Sequence, residues 1–436
     1  MFKLFDLTLQ INGFPMQEAK AELNKILAIP EESYGHFIEQ KKTEIVNFHL
    51  NNNPFYRELV GAESYTNWLD LPILNKKNLQ KPLKERLSLG YPEKSVYLNK
   101  TSGSSGHPFV FAKDKFCHAL TWASNIYRFG WYGIDFNTSY QARFYGIPMD
   151  FVGNKKERFK DFLSHRYRFS IFNLSDAVLE GFLNDFKTKK FDYINGYTSS
   201  IVLFAKFLQK KNIVLKEICP TLKVCMVTSE MLFEEDKLLL EKQFSIPIVN
   251  EYGASELDLI AFQNPNGQWQ VNSETLFVEI LDENNQVLPN GTSGRIVITS
   301  LFNKAHPFIR YDIGDIGILD EKSTLKKPIL KKLIGRTNDV ALLPSGKKSP
   351  GLTFYYVTKS IIEDDGNVKE FIIKQTQIDK FEVEYVSESE LNTEQIEKIN
   401  QAVSLYLEPN LHFTFSRKSS LERSNRGKLK QFTSFL

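Results

Sequence analysis

TLKVCMVTSEMLFEEDKLLLEKQFSIPIVNEYGASE, residues 221–256, holds two short apolar runs with a helical stretch between them. TLKVCMVTSE and IPIVNEYGASE each end in a polar turn, and EEDKLLLEKQF joins them. A strand–helix–strand rhythm predicts a largely parallel sheet covered by helices on both faces, with ligands held at the carboxyl ends of its strands. Upstream, Ile201, Phe204, Ala205 and Leu208 fall at i, i+3, i+4 and i+7. That spacing predicts an amphipathic helix, for which Ser199 is the expected cap. Helical patterns dominate the first hundred residues.

The texture changes after residue 336. EFIIKQ and KFEVEYV have strand composition, and Phe381, Val383 and Tyr385 alternate with Glu382 and Glu384. One wet and one buried face follow from that period of two. A helix is expected from Thr393 to Leu407 with Ile396, Ile399 and Val403 on one side, then a strand at LHFTF. This is a small α+β unit of about 100 residues. Its seam with the larger α/β part lies near LIGRTNDV, which divides the chain into residues 1–335 and 336–436.

At 436 residues the chain is long enough for a large core. Fifty-five Lys and Arg against 52 Asp and Glu leave a formal charge of +3, too balanced for nucleic acid or an anionic membrane as the main partner. Lys326, Lys327, Lys331 and Lys332 read most simply as a solvated face, with contact to an anionic ligand as the alternative. Cys117, Cys219 and Cys225 form no CxxC pair, and read as small core residues in a reducing cytoplasm. No uninterrupted apolar run reaches the ~18 residues of a membrane span. The first residues, MFKLFDLTLQINGF, lack the apolar core of a signal peptide. A folded, soluble, cytoplasmic protein is expected.

Thr101-Ser102-Gly103-Ser104-Ser105-Gly106 has almost no side chain, yet Val96-Tyr97-Leu98 before it and Phe109-Val110-Phe111 after it have strand composition. A loop pinned between strands is not a linker. Glycines accept unusual φ angles, a concave run of amides makes a nest for anionic oxygens, and the four hydroxyls add donors. Phosphate is the natural guest. No Gly-Lys-Ser/Thr follows, so this is not the common nucleotide P-loop.

Four further stretches accompany the loop: NEYGASE with Tyr252 and Glu256, IRYDIGDIG with Asp312 and Asp315, LIGRTND with Arg336, and RSNRGKLK with Lys428. Taken singly they read as a capped turn after a strand, a polar loop, a hinge and a basic tail. Together and in this order they resemble the motif series of the adenylate-forming superfamily, the acyl- and aryl-CoA ligases with the adenylation domains of peptide synthetases. NGYTSS at 195–200 and VTSEML at 227–232 resemble the phenylacetate–CoA ligase branch, which includes relatives from capsule biosynthesis clusters.

The resemblance implies a large N-terminal adenylate-forming domain of mixed sheets covered by helices, and a small mobile C-terminal α+β domain. It implies an ATP-dependent ligase that joins a carboxylic acid to AMP, releases pyrophosphate, and passes the acyl group to coenzyme A. By the same resemblance Thr101 to Gly106 hold the β- and γ-phosphates, and Glu256 binds magnesium. Tyr252 covers one face of the adenine, with Thr228, Ser229 and Glu230 on the other. Asp315 takes the ribose hydroxyls, Arg336 contacts ribose or phosphate, and Lys428 bridges the attacking carboxylate and the α-phosphate. Asn338 is the hinge, and Asp312 is read as a structural acid. Phe144, Tyr145, Tyr197, Gly253 and Ala254 outline an acyl pocket. The three aromatics among them serve equally as core.

Three positions depart from the pattern. Phe109 follows Pro108 where many relatives carry lysine, Ser229 stands where glycine is common, and Asn338 replaces the usual Asp or Lys. Two other functions stay open. One is adenylation followed by transfer to a carrier-protein phosphopantetheine or a sugar amine. The other is a nucleotide-binding scaffold without catalysis. A homodimer is also compatible with the sequence.

Overall fold

The computed structural model describes residues 4–61, 65–101, 109–145, 151–171, 174–336, 340–346, 348–350, 368–423 and 429–436. The chain divides into two compact units, residues 1–313 with 318–332, and residues 314–317 with 333–436.

The first unit opens with helices α1 (Leu4–Ile11), α2 (Met16–Ala28), α3 (Glu31–Asn52) and α4 (Pro54–Val60). Strands β1 (Tyr97–Lys100) and β2 (Val110–Lys113) then form an antiparallel pair, followed by α5 (Lys115–Gly130). Next come β3 (Gln141–Phe144), β4 (Arg166–Phe169), α6 (Asp176–Thr188), β5 (Tyr193–Tyr197), α7 (Thr198–Lys210), β6 (Val224–Thr228), α8 (Glu234–Phe244), β7 (Ile248–Ala254), β8 (Asp258–Gln263) and β9 (Trp269–Val271). Strands β3 to β9 make one seven-stranded sheet in the order β4-β3-β5-β6-β7-β8-β9. Its pairs are parallel from β4 to β7 and antiparallel from β7 to β9. The expected strand–helix–strand is therefore β6–α8–β7, with Cys225 opposite Ile248 and Thr228 opposite Glu251.

Every residue of β6 is buried. Cys225 and Val227 face the core closed by α6, α7 and α8, with Leu183, Phe204, Leu208 and Leu240. Val224 and Met226 face the opposite core with Phe129 of α5, Ile134 and Val249. Burial on both faces is what a parallel strand with crossover helices requires. The three cysteine thiols are free and buried, as expected of core residues.

Ser199 is not the cap of α7. The helix begins at Thr198 with Tyr197 at the cap position, two residues earlier than expected, and the Ser199 N–H donates to Glu230 Oε2 at 2.7 Å. A carboxylate supplied by the following loop satisfies the free amide and the positive end of the helix better than a hydroxyl inside the first turn.

A four-stranded sheet follows in the order β10 (Leu276–Leu281), β11 (Gly294–Ser300), β12 (Tyr311–Leu319) and β13 (Leu330–Arg336). IRYDIGDIG is thus mostly strand, not polar loop. Tyr311, Ile313, Asp315, Gly317 and Leu319 lie on its buried face. Lys326 is likewise no solvated residue, because its ammonium donates to the Leu27 and Ile29 carbonyls at the end of α2.

In the second unit, β14 (Val340–Leu342) pairs with β15 (Lys348–Pro350). A second sheet, in the order β18-β17-β16-β19, joins β16 (Val368–Gln377), β17 (Lys380–Ser387), β18 (His412–Arg417) and β19 (Phe432–Ser434). Phe381, Val383 and Tyr385 are buried and alternate with half-buried Glu382 and Glu384, as the sequence predicts. Helix α9 (Thr393–Tyr406) starts with a capping box between Asn392 and Gln395, and buries Ile399 and Val403.

Two predictions follow from packing and burial. Gly196 lies opposite Phe144, and a Cβ there would sit 2.4 Å from the Phe144 carbonyl oxygen. Gly196→Ala should therefore cost about 1–3 kcal/mol in denaturant unfolding. An unchanged midpoint would mean that β3 and β5 have room to part. His49 is fully buried against the Asn303 carbonyl at 2.9 Å, and burial lowers its pKa to about 4. The unfolded chain then binds that proton more tightly, so stability should fall as pH drops from about 6.5 to 4, by roughly 3 kcal/mol for this group. His49→Gln should flatten that part of the pH profile, and a profile unchanged by the substitution would refute the assignment.

Candidate active site

Strand β7 turns back into β8 through residues 255–257, and this turn carries Glu256. Gly253 is required for the reversal, since a Cβ there would lie 2.6 Å from the Asp258 carbonyl oxygen. Glu256 is 4% exposed, and one of its carboxylate oxygens accepts the Tyr311 hydroxyl at 2.9 Å.

Tyr311 is itself placed by buried charge. The preceding Arg310 holds a left-handed φ of 46°, an unfavourable backbone for a side chain of that size. Its guanidinium donates to the Leu69 and Leu71 carbonyls at 2.9 and 3.1 Å and pairs with buried Glu279 at 3.4 Å. Asp315 shares the buried face of β12 with Tyr311. Asp312 points to the other face and accepts Arg295 Nη1 at 2.6 Å, the position of a structural acid.

The phosphate-loop stretch is closed at its base. The Thr101 N–H donates to the Phe109 carbonyl at 3.0 Å, and the Thr101 hydroxyl accepts the Phe109 N–H at 3.1 Å. Phe109 is buried, so it serves the core. Ser102, Gly103, Ser104, Ser105 and Gly106 lie outside the described residues, as do Asn338 and Lys428. Arg336 ends β13, and its side chain is likewise not described.

At the end of β6 the Thr228 hydroxyl donates to Glu251 Oε1 at 3.0 Å. Burial pushes the Glu251 carboxyl above its usual range, while Thr228 and the charge of Arg143 act against that rise. Ser229 is exposed with φ +70°, the left-handed region in which glycine is at ease. Glu230 caps α7 as described. Tyr252 lies within β7, not in the turn after it, and meets Trp269 edge-on at 6.0 Å.

Tyr145 and Tyr197 touch, with ring centroids 4.6 Å apart, and the Tyr145 hydroxyl bonds Asn195 Oδ1 at 3.3 Å. Phe144 is fully buried against Phe169, Phe182 and Phe204 and serves the core closed by α6, α7 and α8. Tyr197 is buried in that same core, and Tyr145 packs against it. Ala254 closes β7 beside Gly253.

Sequence reasoning missed Tyr311, Lys113, Thr121 and Asp258. Tyr311 sits inside a quoted motif, but only the fold shows its contact with Glu256. The Lys113 ammonium donates to Asp258 Oδ2, which also accepts the Thr121 hydroxyl at 2.9 Å. Burial pulls the lysine below its ordinary value, and the thiol of Cys117 and the carboxylate of Glu256 raise it again.

Among the described residues no three His, Cys, Asp or Glu side chains are grouped to cage a metal. The buried Glu256 carboxylate still suits magnesium, which keeps several waters and takes remaining ligands from nucleotide phosphates. A separate cavity of about 480 Å³ is lined by Tyr34, Tyr127, Trp131 and Glu274 among others, and shares no residue with this constellation.

Ser229 supplies a stability test. A non-glycine residue in the left-handed region costs ~1–2 kcal/mol, against ~0.5–1 kcal/mol of extra chain entropy for glycine. Ser229→Gly should therefore raise the unfolding midpoint slightly. A lower midpoint would mean that the serine hydroxyl offsets its own backbone strain.

No protein-family model matches the chain. It is 23% identical over 411 residues to Protein CapK of Staphylococcus aureus, covering 89% of this chain and 86% of that protein. Phenylacetate-coenzyme A ligase of Aromatoleum evansii is 27% identical over 131 residues, or 28% of this chain and 29% of that enzyme. Among solved structures, 2-hydroxyisobutyryl-CoA ligase in the postadenylation state superposes with a TM-score of 0.70 at 15% identity, over 92% of this chain and 90% of that one. The chain has the fold of the adenylate-forming acyl-CoA ligases, and its sequence relatives include CapK and phenylacetate–coenzyme A ligase.

Proposed function

We propose that this protein is an ATP-dependent, AMP-forming ligase that activates a monocarboxylic acid as its acyl-adenylate and passes the acyl group to a thiol, most simply coenzyme A. The observation that carries this is the buried Glu256 carboxylate at the carboxyl ends of the parallel strands, held by Tyr311 from the strand that also bears Asp315. The first half-reaction brings an anionic carboxylate to an anionic phosphate, so the site must offset charge and align the attack.

In this proposal the Thr101–Gly106 amides and hydroxyls cradle the β- and γ-phosphates. Glu256 would hold magnesium, which would supply neutralisation of charge on the phosphate oxygens, and Tyr311 orients the Glu256 carboxylate through its hydroxyl. Asp315 accepts the ribose hydroxyls, and Tyr252 with Thr228, Ser229 and Glu230 borders the adenine. Arg336 adds a permanent cation, and Lys428 meets the α-phosphate and the attacking carboxylate. Asn338 serves as the hinge of a C-terminal domain, residues 336–436, that alternates between half-reactions. Tyr145, Tyr197, Gly253 and Ala254 border the acyl chain. A cytoplasmic location belongs to the same proposal, supported by three free, buried cysteines.

A different acceptor, a carrier-protein phosphopantetheine or an amine, is the second reading. For the amine it is supported by the likeness to a solved amide bond synthetase from Marinactinospora thermotolerans, which superposes with a TM-score of 0.53 over 77% of this chain.

ATP–pyrophosphate exchange over a panel of carboxylic acids tests the adenylation whatever the acceptor. Glu256→Gln should slow exchange by roughly 10²–10³-fold, the scale for loss of one transition-state charge stabiliser. Asp315→Ala should raise KM for ATP more than Asp312→Ala does. Nucleotide binding without exchange for any acid would leave the protein a scaffold, and a larger effect at Asp312 would exchange the two aspartates' roles.

A further inference from the structure

Lys113 ends β2, the strand that leaves the Thr101–Gly106 stretch, and its side chain is only 3% exposed. A buried ammonium is costly to desolvate, and replacing such a pair by apolar residues is often neutral or stabilising. Fold stability is therefore a poor reason for it. Its partner Asp258 opens β8 two residues after Glu256, and holds a left-handed φ of 59°. A backbone that L residues avoid persists only where contacts fix it. The fixing contacts come from two directions, Lys113 on β2 and Thr121 on α5, both at the same Asp258 oxygen. The Glu256 carboxylate is close enough to act electrostatically on Lys113. Two carboxylates thus stand two positions apart, and one of them is occupied by the lysine.

We propose that Lys113 is a positioning residue that clamps the 255–257 turn through Asp258, so that Glu256 is held in fixed register with the strand emerging from the phosphate-binding stretch. This rests on the proposed role of Glu256 as the metal-facing carboxylate. The clamp does two things at once. It removes Asp258 as a competing anion, and it ties the turn to β2. Orientation of a ligand by the group behind it commonly changes metal affinity by 10–100-fold.

The test uses the full chain and the variants Lys113→Met, Asp258→Asn and Glu256→Gln. Calorimetry measures ATP binding across a magnesium series, and hydrogen exchange follows the amides of residues 251–262. Lys113→Met should raise the magnesium concentration for half-maximal ATP binding roughly tenfold and speed exchange in the turn. Asp258→Asn should do the same, and the double variant should be no worse than either single one. If Lys113→Met fails to fold, Asp258→Asn alone and with Thr121→Val carries the same expectations. Wild-type magnesium dependence and wild-type turn exchange in these variants, at any melting temperature, would overturn the proposal. If Glu256→Gln leaves the magnesium series unchanged, the metal role of Glu256 fails. Faster turn exchange in Lys113→Met would then still establish the clamp.

Discussion

Burial of β6 on both faces constrains everything around it. With Val224 to Thr228 all inaccessible, no polar side chain can work from within the strand, and chemistry is driven to its end. Thr228 is the last residue and the first polar one, and it spends its hydroxyl on Glu251 of the neighbouring strand. In β7 the first two residues, Ile248 and Val249, are buried, and polar residues follow from Asn250 onward. The candidate site thus lies at the carboxyl ends of the strands of a doubly covered sheet.

Charge in the first unit is organised by enclosure. Arg128 with Glu274, Arg310 with Glu279, and Lys113 with Asp258 are all ion pairs whose cations are almost fully buried. Such pairs gain little net stability after desolvation, but a wrong geometry would leave a buried charge unpaired. Two of the three bear directly on Glu256. Arg310 fixes the backbone before Tyr311, and Asp258 follows the turn that presents Glu256. Positive φ angles at both Arg310 and Asp258 mark where that geometry is enforced against local preference.

The departures from the family pattern acquire different physical meanings. Phe109 is a core residue at the closed base of its hairpin, so its side chain leaves no room for a charge at that point. Ser229 occupies a backbone conformation that explains why glycine is usual there, and its exposure leaves the hydroxyl in water.

The amino-acid sequence by itself determined the elements and the broad class. Period-two alternation at Phe381–Tyr385, apolar runs at 224–228 and 248–254, and the helix between them depend on local pattern, which a linear reading can measure. The motif order pointed to the same fold that comparison of structures finds. Tertiary structure alone decided which face each residue takes and which partner it meets. IRYDIGDIG reads as a polar loop because glycine and aspartate disfavour strands, yet neighbouring strands override that propensity. Phe144 and Tyr145 are adjacent in sequence, yet Phe144 is enclosed by Phe169, Phe182 and Phe204 while Tyr145 bonds Asn195 and touches Tyr197. The contacts of Lys113 with Asp258 and of Tyr311 with Glu256 span 145 and 55 residues. No local pattern encodes a contact between such distant residues, because only packing of the whole sheet brings them within bonding range.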